Sequence, residues 1–227
     1  MSQPLAVICL SGGMDSAVTA ALVGQSYRLA CLHANYGQRT EAKELECFER
    51  LAEDFGAQAR LVVDFPALRA IGGSSLTDRS IPVREGAPLE GLVPSSYVPF
   101  RNAHLLSAAT SWAEHLGAEA IAIGAVWEDS SGYPDCRPEF YRAFERAIRE
   151  GTKPETHLRV LTPVIAMSKA EIARNGARLG VPFEWTWSCY QDEHESCGAC
   201  ESCRLRLKGF AEAGLVDPIP YRHASGA

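Results

Sequence analysis

Along this chain, apolar runs of strand length alternate with segments whose apolar residues recur at helical spacing. Leu5–Leu10 is continuously apolar and predicts a buried strand, followed by a helix over Ser16–Val23. Leu29–His33 predicts a second strand, and Glu41–Phe55 a helix with Leu45, Phe48, Leu51 and Ala52 on one face. Arg60–Val63 predicts a third strand, Ala103–Leu116 a helix, and Ala120–Val126 another strand. Pro138–Glu150 predicts a helix with proline in its first turn, and Val160–Ile165 a shorter strand. Ser168 with Glu171 has the spacing of a capping box, and Gly180 and Pro182 end the helix it opens. Such alternation predicts an α/β fold with a doubly wound, mostly parallel sheet covered on both faces. Ligands of such sheets sit at the carboxyl ends of the strands.

The rhythm breaks in two places. Phe65–Phe100 is rich in Gly, Pro and Ser and has little periodicity, so it is expected to be a functional flap. After Pro182 the chain turns aromatic and then rich in cysteine. The expected division is a main domain over 1–182 and a small C-terminal subdomain over 183–227.

Composition narrows the class. A chain of 227 residues that is 46% hydrophobic can bury a substantial core. Its net charge of −6 argues against nucleic acid as a direct partner, although it leaves open a nucleobase or nucleotide substrate. No apolar run is long enough to span a membrane. The N-terminus lacks a basic region and Asp15 interrupts its apolar stretch, which argues against a secretory signal and for a cytoplasmic location.

Of the eight cysteines, Cys9, Cys31, Cys47 and Cys136 are scattered, whereas Cys189, Cys197, Cys200 and Cys203 are crowded together. Four thiolates at this spacing make a complete tetrahedral set for structural Zn²⁺, one ion per chain, with Gly198 allowing a tight knuckle. A redox pair and an iron–sulfur cluster are the alternatives.

Between the first strand and helix lies Ser11-Gly12-Gly13-Met14-Asp15-Ser16. A helix N-terminus offers unpaired N–H groups and the positive end of a dipole, and glycines let an anion approach the backbone. Asp15 beside a phosphate implies a divalent cation, Mg²⁺, between them. A capped strand-to-helix turn is the plainer alternative. Three further polar and aromatic stretches, His33–Arg39, Tyr97–Asn102 and Ser131–Phe140, fall by topology at the same rim of the sheet.

The loop "SGGMDS" resembles the Ser-Gly-Gly-x-Asp-Ser pyrophosphate loop of the N-type ATP pyrophosphatases, which implies cleavage of ATP between its α and β phosphates. With "NYGQR", "VPFRN", "SGYPDCRPEF", "LTPVIAMSKAEI", and "SCYQ" followed by "CGACESC", nearly the whole chain resembles the 7-cyano-7-deazaguanine synthase family of queuosine precursor biosynthesis. The resemblance implies conversion of 7-carboxy-7-deazaguanine to the nitrile with ammonia and ATP, through an adenylated carboxylate and then an amide. It implies small-molecule partners only and a homodimer. Carried onto this sequence, it implies that Leu10, Ser11, Gly12, Gly13, Met14, Asp15, Ser16, His33, Arg101 and Lys169 bind ATP, with Asp15, Arg101 and Lys169 catalytic. Tyr36, Gln38, Arg39, Tyr133, Asp135, Arg137, Glu139 and Phe140 are the residues it implies for the deazaguanine substrate. Cations stabilise the leaving group, acids accept from the guanine-like edge, and rings stack on the base.

Overall fold

The computed structural model of the protein describes residues 3–86, 92–127 and 132–222. Five parallel strands form one sheet: β1 (Leu5–Cys9), β2 (Arg28–Asn35), β3 (Ala59–Asp64), β4 (Ala120–Ile123) and β5 (Arg159–Leu161), in the order β3-β2-β1-β4-β5. The helices are α1 (Met14–Gly24), α2 (Glu41–Asp54), α3 (Pro66–Ile71), α4 (Arg101–Leu116), α5 (Pro138–Gly151), α6 (Lys169–Arg178) and α7 (Glu201–Ala213).

The continuous apolar run of β1 follows from burial on both faces. Ala6 and Ile8 join one core with Val18, Phe48, Leu51, Ile172 and Phe210, while Val7 and Cys9 join a second with Leu106, Ile121, Tyr141 and Ile148. Thus α1, α2, α6 and α7 contribute to one face, and α4 and α5 to the other. Strand order reverses at β1, which pairs with both β2 and β4. The carboxyl ends of β1 and β4 therefore flank a topological switch point, the expected place for a ligand.

Several bounds differ from expectation for identifiable reasons. β4 stops at Ile123 because Gly124 lies against α1: a Cβ there would stand 2.7 Å from the backbone of Ser16. β5 stops before Pro163, which has no N–H for a ladder, and Thr162 O instead accepts from Ile165 N at 3.1 Å. The capping box of α6 is formed on both sides.

The 65–100 segment begins with α3, which its composition concealed, and its described part is tied down. The Arg39 guanidinium donates to Ser75 O at 2.6 Å, Asp78 O at 3.1 Å and Ile81 O at 2.8 Å. Ser74, Ser75, Leu76 and Val98 are buried. Residues 87–91 of that stretch, Ser131, and 223–227 lie outside the described residues.

Candidate active site

The loop Ser11–Ser16 is shaped by its neighbours as much as by its glycines. Gly12 has φ +86°, and a Cβ on it would lie 2.6 Å from Glu44 O and 3.1 Å from Cys47 Cβ on α2. Its carbonyl accepts from Trp187 N at 2.8 Å. Gly13 occupies the N-cap position of α1 without a side-chain cap. Ser16 Oγ donates to Gly13 O at 2.9 Å and accepts from Ser11 N at 3.2 Å, which fixes the turn.

Beside this loop lies a cavity of about 240 Å³. Leu10, Ser11, Gly13, Met14, Asp15, Ser16, Tyr36, Arg101, Tyr133 and Lys169 all line it. So do Glu44, Trp187, Ser188, Tyr190 and Arg206. Lys169 Nζ donates to Asp15 Oδ2 at 2.5 Å, so the start of α6 is joined to the start of α1. Asp15 Oδ1 is buried with no partner among the described residues, which fits a hard cation such as Mg²⁺ at that oxygen. Arg101 Nη1 donates to the Tyr36 hydroxyl at 3.1 Å, while its Nε is buried without a partner among the described residues. Burial opposes the Arg101 charge, but Tyr36, Tyr133 and Asp135 outweigh it and raise its pKa. Burial pushes the Tyr36 phenol up to about 12. Burial also pushes the Glu44 carboxyl up to about 7, against the hydrogen bonds from Thr40 and Gln38 that lower it.

The other residues implied for ATP or the deazaguanine substrate are not among the described lining residues. Gly12 lies behind the loop against α2. His33 is buried, stacked on Phe48, and its Nδ1 is 3.2 Å from Leu10 O. Gln38 is buried and bonds Tyr36 N, Ala34 O and Glu44 Oε2. Arg39 anchors the 75–81 backbone. Asp135 Oδ2 accepts from Asn102 N at 3.0 Å, and so caps the first turn of α4 from another element. Arg137 Nε donates to Pro134 O, and Glu139 pairs with Arg142 in an exposed turn. Phe140 packs edge-on against Phe100 and Tyr141.

Sequence reasoning did not single out Glu44, Tyr190 or Arg206. Arg206 had one usable signal: it follows Cys203 by three positions on a helix, so the two share a face. That face is buried. Arg206 bonds Asp217 through Nε and Nη2, Thr186 Oγ1 at 2.6 Å and Phe183 O at 3.2 Å. Glu44 reads in sequence as one of several acids on a solvated helix face, with nothing to mark it.

The Sγ atoms of Cys189, Cys197, Cys200 and Cys203 are all buried and lie within 4.8 Å of one another, close enough to hold one metal ion. Cys189 Sγ accepts from the N–H groups of Gln191 and Cys197, each at 3.4 Å. Cys197 Sγ accepts from Ala199 N at 3.4 Å and Cys200 N at 3.3 Å, across a knuckle that turns at Gly198 with φ +70°. Backbone N–H groups aimed at sulfur suit thiolate ligands of a soft or borderline cation.

Comparison with known proteins adds the context. The family described as "Queuosine biosynthesis protein QueC" matches residues 5–214. The chain is 57% identical over 218 residues to a 7-cyano-7-deazaguanine synthase of Chlorobium phaeobacteroides, covering 95% of this chain and 96% of the relative. It is 55% identical over 218 residues to the synthase of Chlorobaculum parvum, with the same coverages. It is 56% identical over 220 residues to that of Koribacter versatilis, covering 95% of this chain and 92% of the relative.

Proposed function

The chain belongs to the QueC family of queuosine biosynthesis proteins, and from that premise we propose that it converts 7-carboxy-7-deazaguanine, ammonia and ATP to 7-cyano-7-deazaguanine. The observation that carries this reading is one cavity lined jointly by an uncapped helix N-terminus, the Asp15–Lys169 pair, Arg101 and the rings of Tyr36, Tyr133 and Tyr190. A triphosphate, a carboxylate and a flat base each find matching chemistry there.

In this reading the N–H groups at the start of α1 and the Lys169 ammonium hold the phosphates that leave as pyrophosphate. Asp15, whose Oδ1 is without a partner among the described residues, would hold Mg²⁺, which would supply charge neutralisation at phosphate oxygen. Arg101 faces the substrate carboxylate, whose oxygen attacks the α phosphorus. Tyr36 and Tyr133 stack on or flank the deazaguanine ring. Gln38, Arg39, Asp135 and His33 act by positioning: they brace Glu44, the 75–81 strap, the start of α4 and the end of β1. Arg137, Glu139 and Phe140 belong to the outer rim. Catalysis is then mainly orientation and charge placement, with no covalent enzyme intermediate.

The cysteine cluster holds a structural Zn²⁺, because four thiolates leave no open position for substrate. In this reading the chain divides into a nucleotide-binding domain over 1–182 and a zinc-binding subdomain that starts at Phe183, with Phe183 and Phe210 packed into the core on one face of the sheet. We further propose that the enzyme is a cytoplasmic homodimer, which light scattering would check. The deciding experiment incubates the protein with 7-carboxy-7-deazaguanine, ATP, Mg²⁺ and ammonium and follows products by mass spectrometry. The nitrile with AMP and pyrophosphate is expected. ADP and phosphate as the only nucleotide products would overturn the adenylation mechanism.

A further inference from the structure

Besides Asp15, Glu44 is the one carboxylate among the described residues that line the cavity. The two are held differently. Asp15 is paired with Lys169, whereas Glu44 has no basic group within ion-pair distance among the described residues. Its oxygens are bound by neutral donors: Thr40 Oγ1 donates to Oε1 at 2.7 Å, and Gln38 Nε2 to Oε2 at 3.2 Å. Gln38 is itself fixed by Tyr36 N at 2.8 Å and Ala34 O at 3.3 Å, so the carboxylate is oriented by a buried chain of bonds. The main chain of Glu44 lies against Gly12, which sets the group beside the phosphate loop.

We propose that Glu44 is the general base that takes protons from nitrogen as ammonia becomes amide and then nitrile. This rests on the function proposed above. That chemistry needs a proton acceptor, since ammonia brings protons that the nitrile does not keep. In the first half, nitrogen adds to the acyl carbon, the C–O bond to AMP breaks with its electron pair staying on phosphate oxygen, and nitrogen loses a proton to Glu44 Oε. In the second, the amide oxygen is adenylated by a further ATP with release of pyrophosphate. The C–O bond to AMP then breaks, and the remaining N–H protons leave in turn through the same carboxylate to water as the C≡N bond forms.

The other cavity groups suit this role poorly. No histidine is among the described lining residues. Burial pushes the thiols of Cys9 and Cys136 to about 12 and about 11, and the Tyr36 phenol to about 12, so all three are protonated at neutral pH. Glu44, pushed to about 7 by burial, exchanges protons near neutrality. The charged and titratable groups around it are Arg101 from α4, Tyr36 from the loop after β2, and Glu41 and Cys47 on its own helix.

The test separates adenylation from amination. Exchange of labelled pyrophosphate into ATP, dependent on 7-carboxy-7-deazaguanine, needs no ammonia. If the parent enzyme shows no such exchange, the underlying function is wrong, whatever Glu44 does. Given parental exchange, Glu44→Gln should keep it within a few-fold and lose ammonium-dependent product by on the order of a hundredfold or more. At constant free ammonia, the parent's product rate should rise with pH through about 7, and the variant should lack that limb. Thr40→Val, which removes a bond favouring the carboxylate, should move the limb to higher pH. This arm still decides the matter if the Gln variant does not fold. An unchanged product rate, equal loss of exchange and product, or a limb that Thr40→Val leaves in place would overturn the proposal.

Discussion

Replacing Gly12 and Gly13 in turn by alanine separates two roles that adjacent glycines play in one loop. At Gly12 the added methyl would sit 2.6 Å from Glu44 O and 3.1 Å from Cys47 Cβ, at a backbone φ of +86°. The left-handed conformation costs a non-glycine residue about 1–2 kcal/mol. Forcing the methyl against α2 adds about 1–3 kcal/mol, as for other overpacked sites. The sum, about 2–5 kcal/mol, corresponds to roughly 5–20 °C in melting temperature for a chain of this size. At Gly13 φ is −86°, and the nearest atoms, Ser11 Oγ and Trp187 O, would be 3.4 Å from the methyl. That is ordinary contact, and the expected change is within about 0.5 kcal/mol. Gly13 nevertheless lines the cavity, so under the proposed function its methyl takes space from the phosphates. Differential scanning fluorimetry with and without Mg²⁺ and ATP reads both effects. Gly12→Ala should melt well below the parent. Gly13→Ala should melt with the parent in buffer but lose the upward shift that bound nucleotide gives. A Gly12→Ala protein as stable as the Gly13→Ala protein would refute the reading of Gly12 as a point of enforced contact with α2.

Asp15→Asn should keep the fold and any metal on the cysteine cluster while nitrile formation, followed by chromatography, drops by on the order of a hundredfold; a parental rate would remove Asp15 from the proposed phosphate site. Cys200→Ser should lose the cluster's metal, read by elemental analysis, together with thermal stability, whereas Cys136→Ser, outside the cluster, should keep that metal. Asp217→Asn leaves the buried Arg206 guanidinium, only 1% exposed, without its counter-ion, and should cost about 3–5 kcal/mol in urea unfolding. For pH, the folded-state pKa of Glu44, about 7, lies above the ordinary 4.5. Its neutral form therefore stabilises the fold fully below 4.5, and that contribution is lost as pH rises through about 7. Glu44→Gln is neutral throughout, so its urea midpoint should gain on the parent's as pH rises across that window.

The fold was legible because both of its periodicities are strong. Buried parallel strands such as β1 and β4 leave continuous apolar runs, and α2 leaves a clear stripe at Leu45, Phe48 and Leu51. The cysteine spacing and the Ser11–Ser16 loop were equally plain, since each is local in sequence. What sequence could not reveal was direction. Asp135 and Arg39 are polar residues in distinctive motifs, yet each spends its hydrogen bonds on backbone groups distant in sequence, Asn102 N and Ser75 O among them. Glu44 faces the opposite problem: an unremarkable acid in a charged helix turns inward because Thr40 and Gln38 hold it there. Such pairings are set by tertiary packing, which no window along the chain contains.

The hydrogen bond from Trp187 N to Gly12 O has a consequence for how the protein is made. A ribosome delivers Gly12 well before Trp187, with the cysteine cluster and the Arg206–Asp217 pair later still. Domains generally gain structure from the N-terminus as they emerge, but the Ser11–Ser16 loop lacks this brace until residue 187 has emerged. A nascent chain halted before residue 187 can therefore build strands and helices without a finished nucleotide seat.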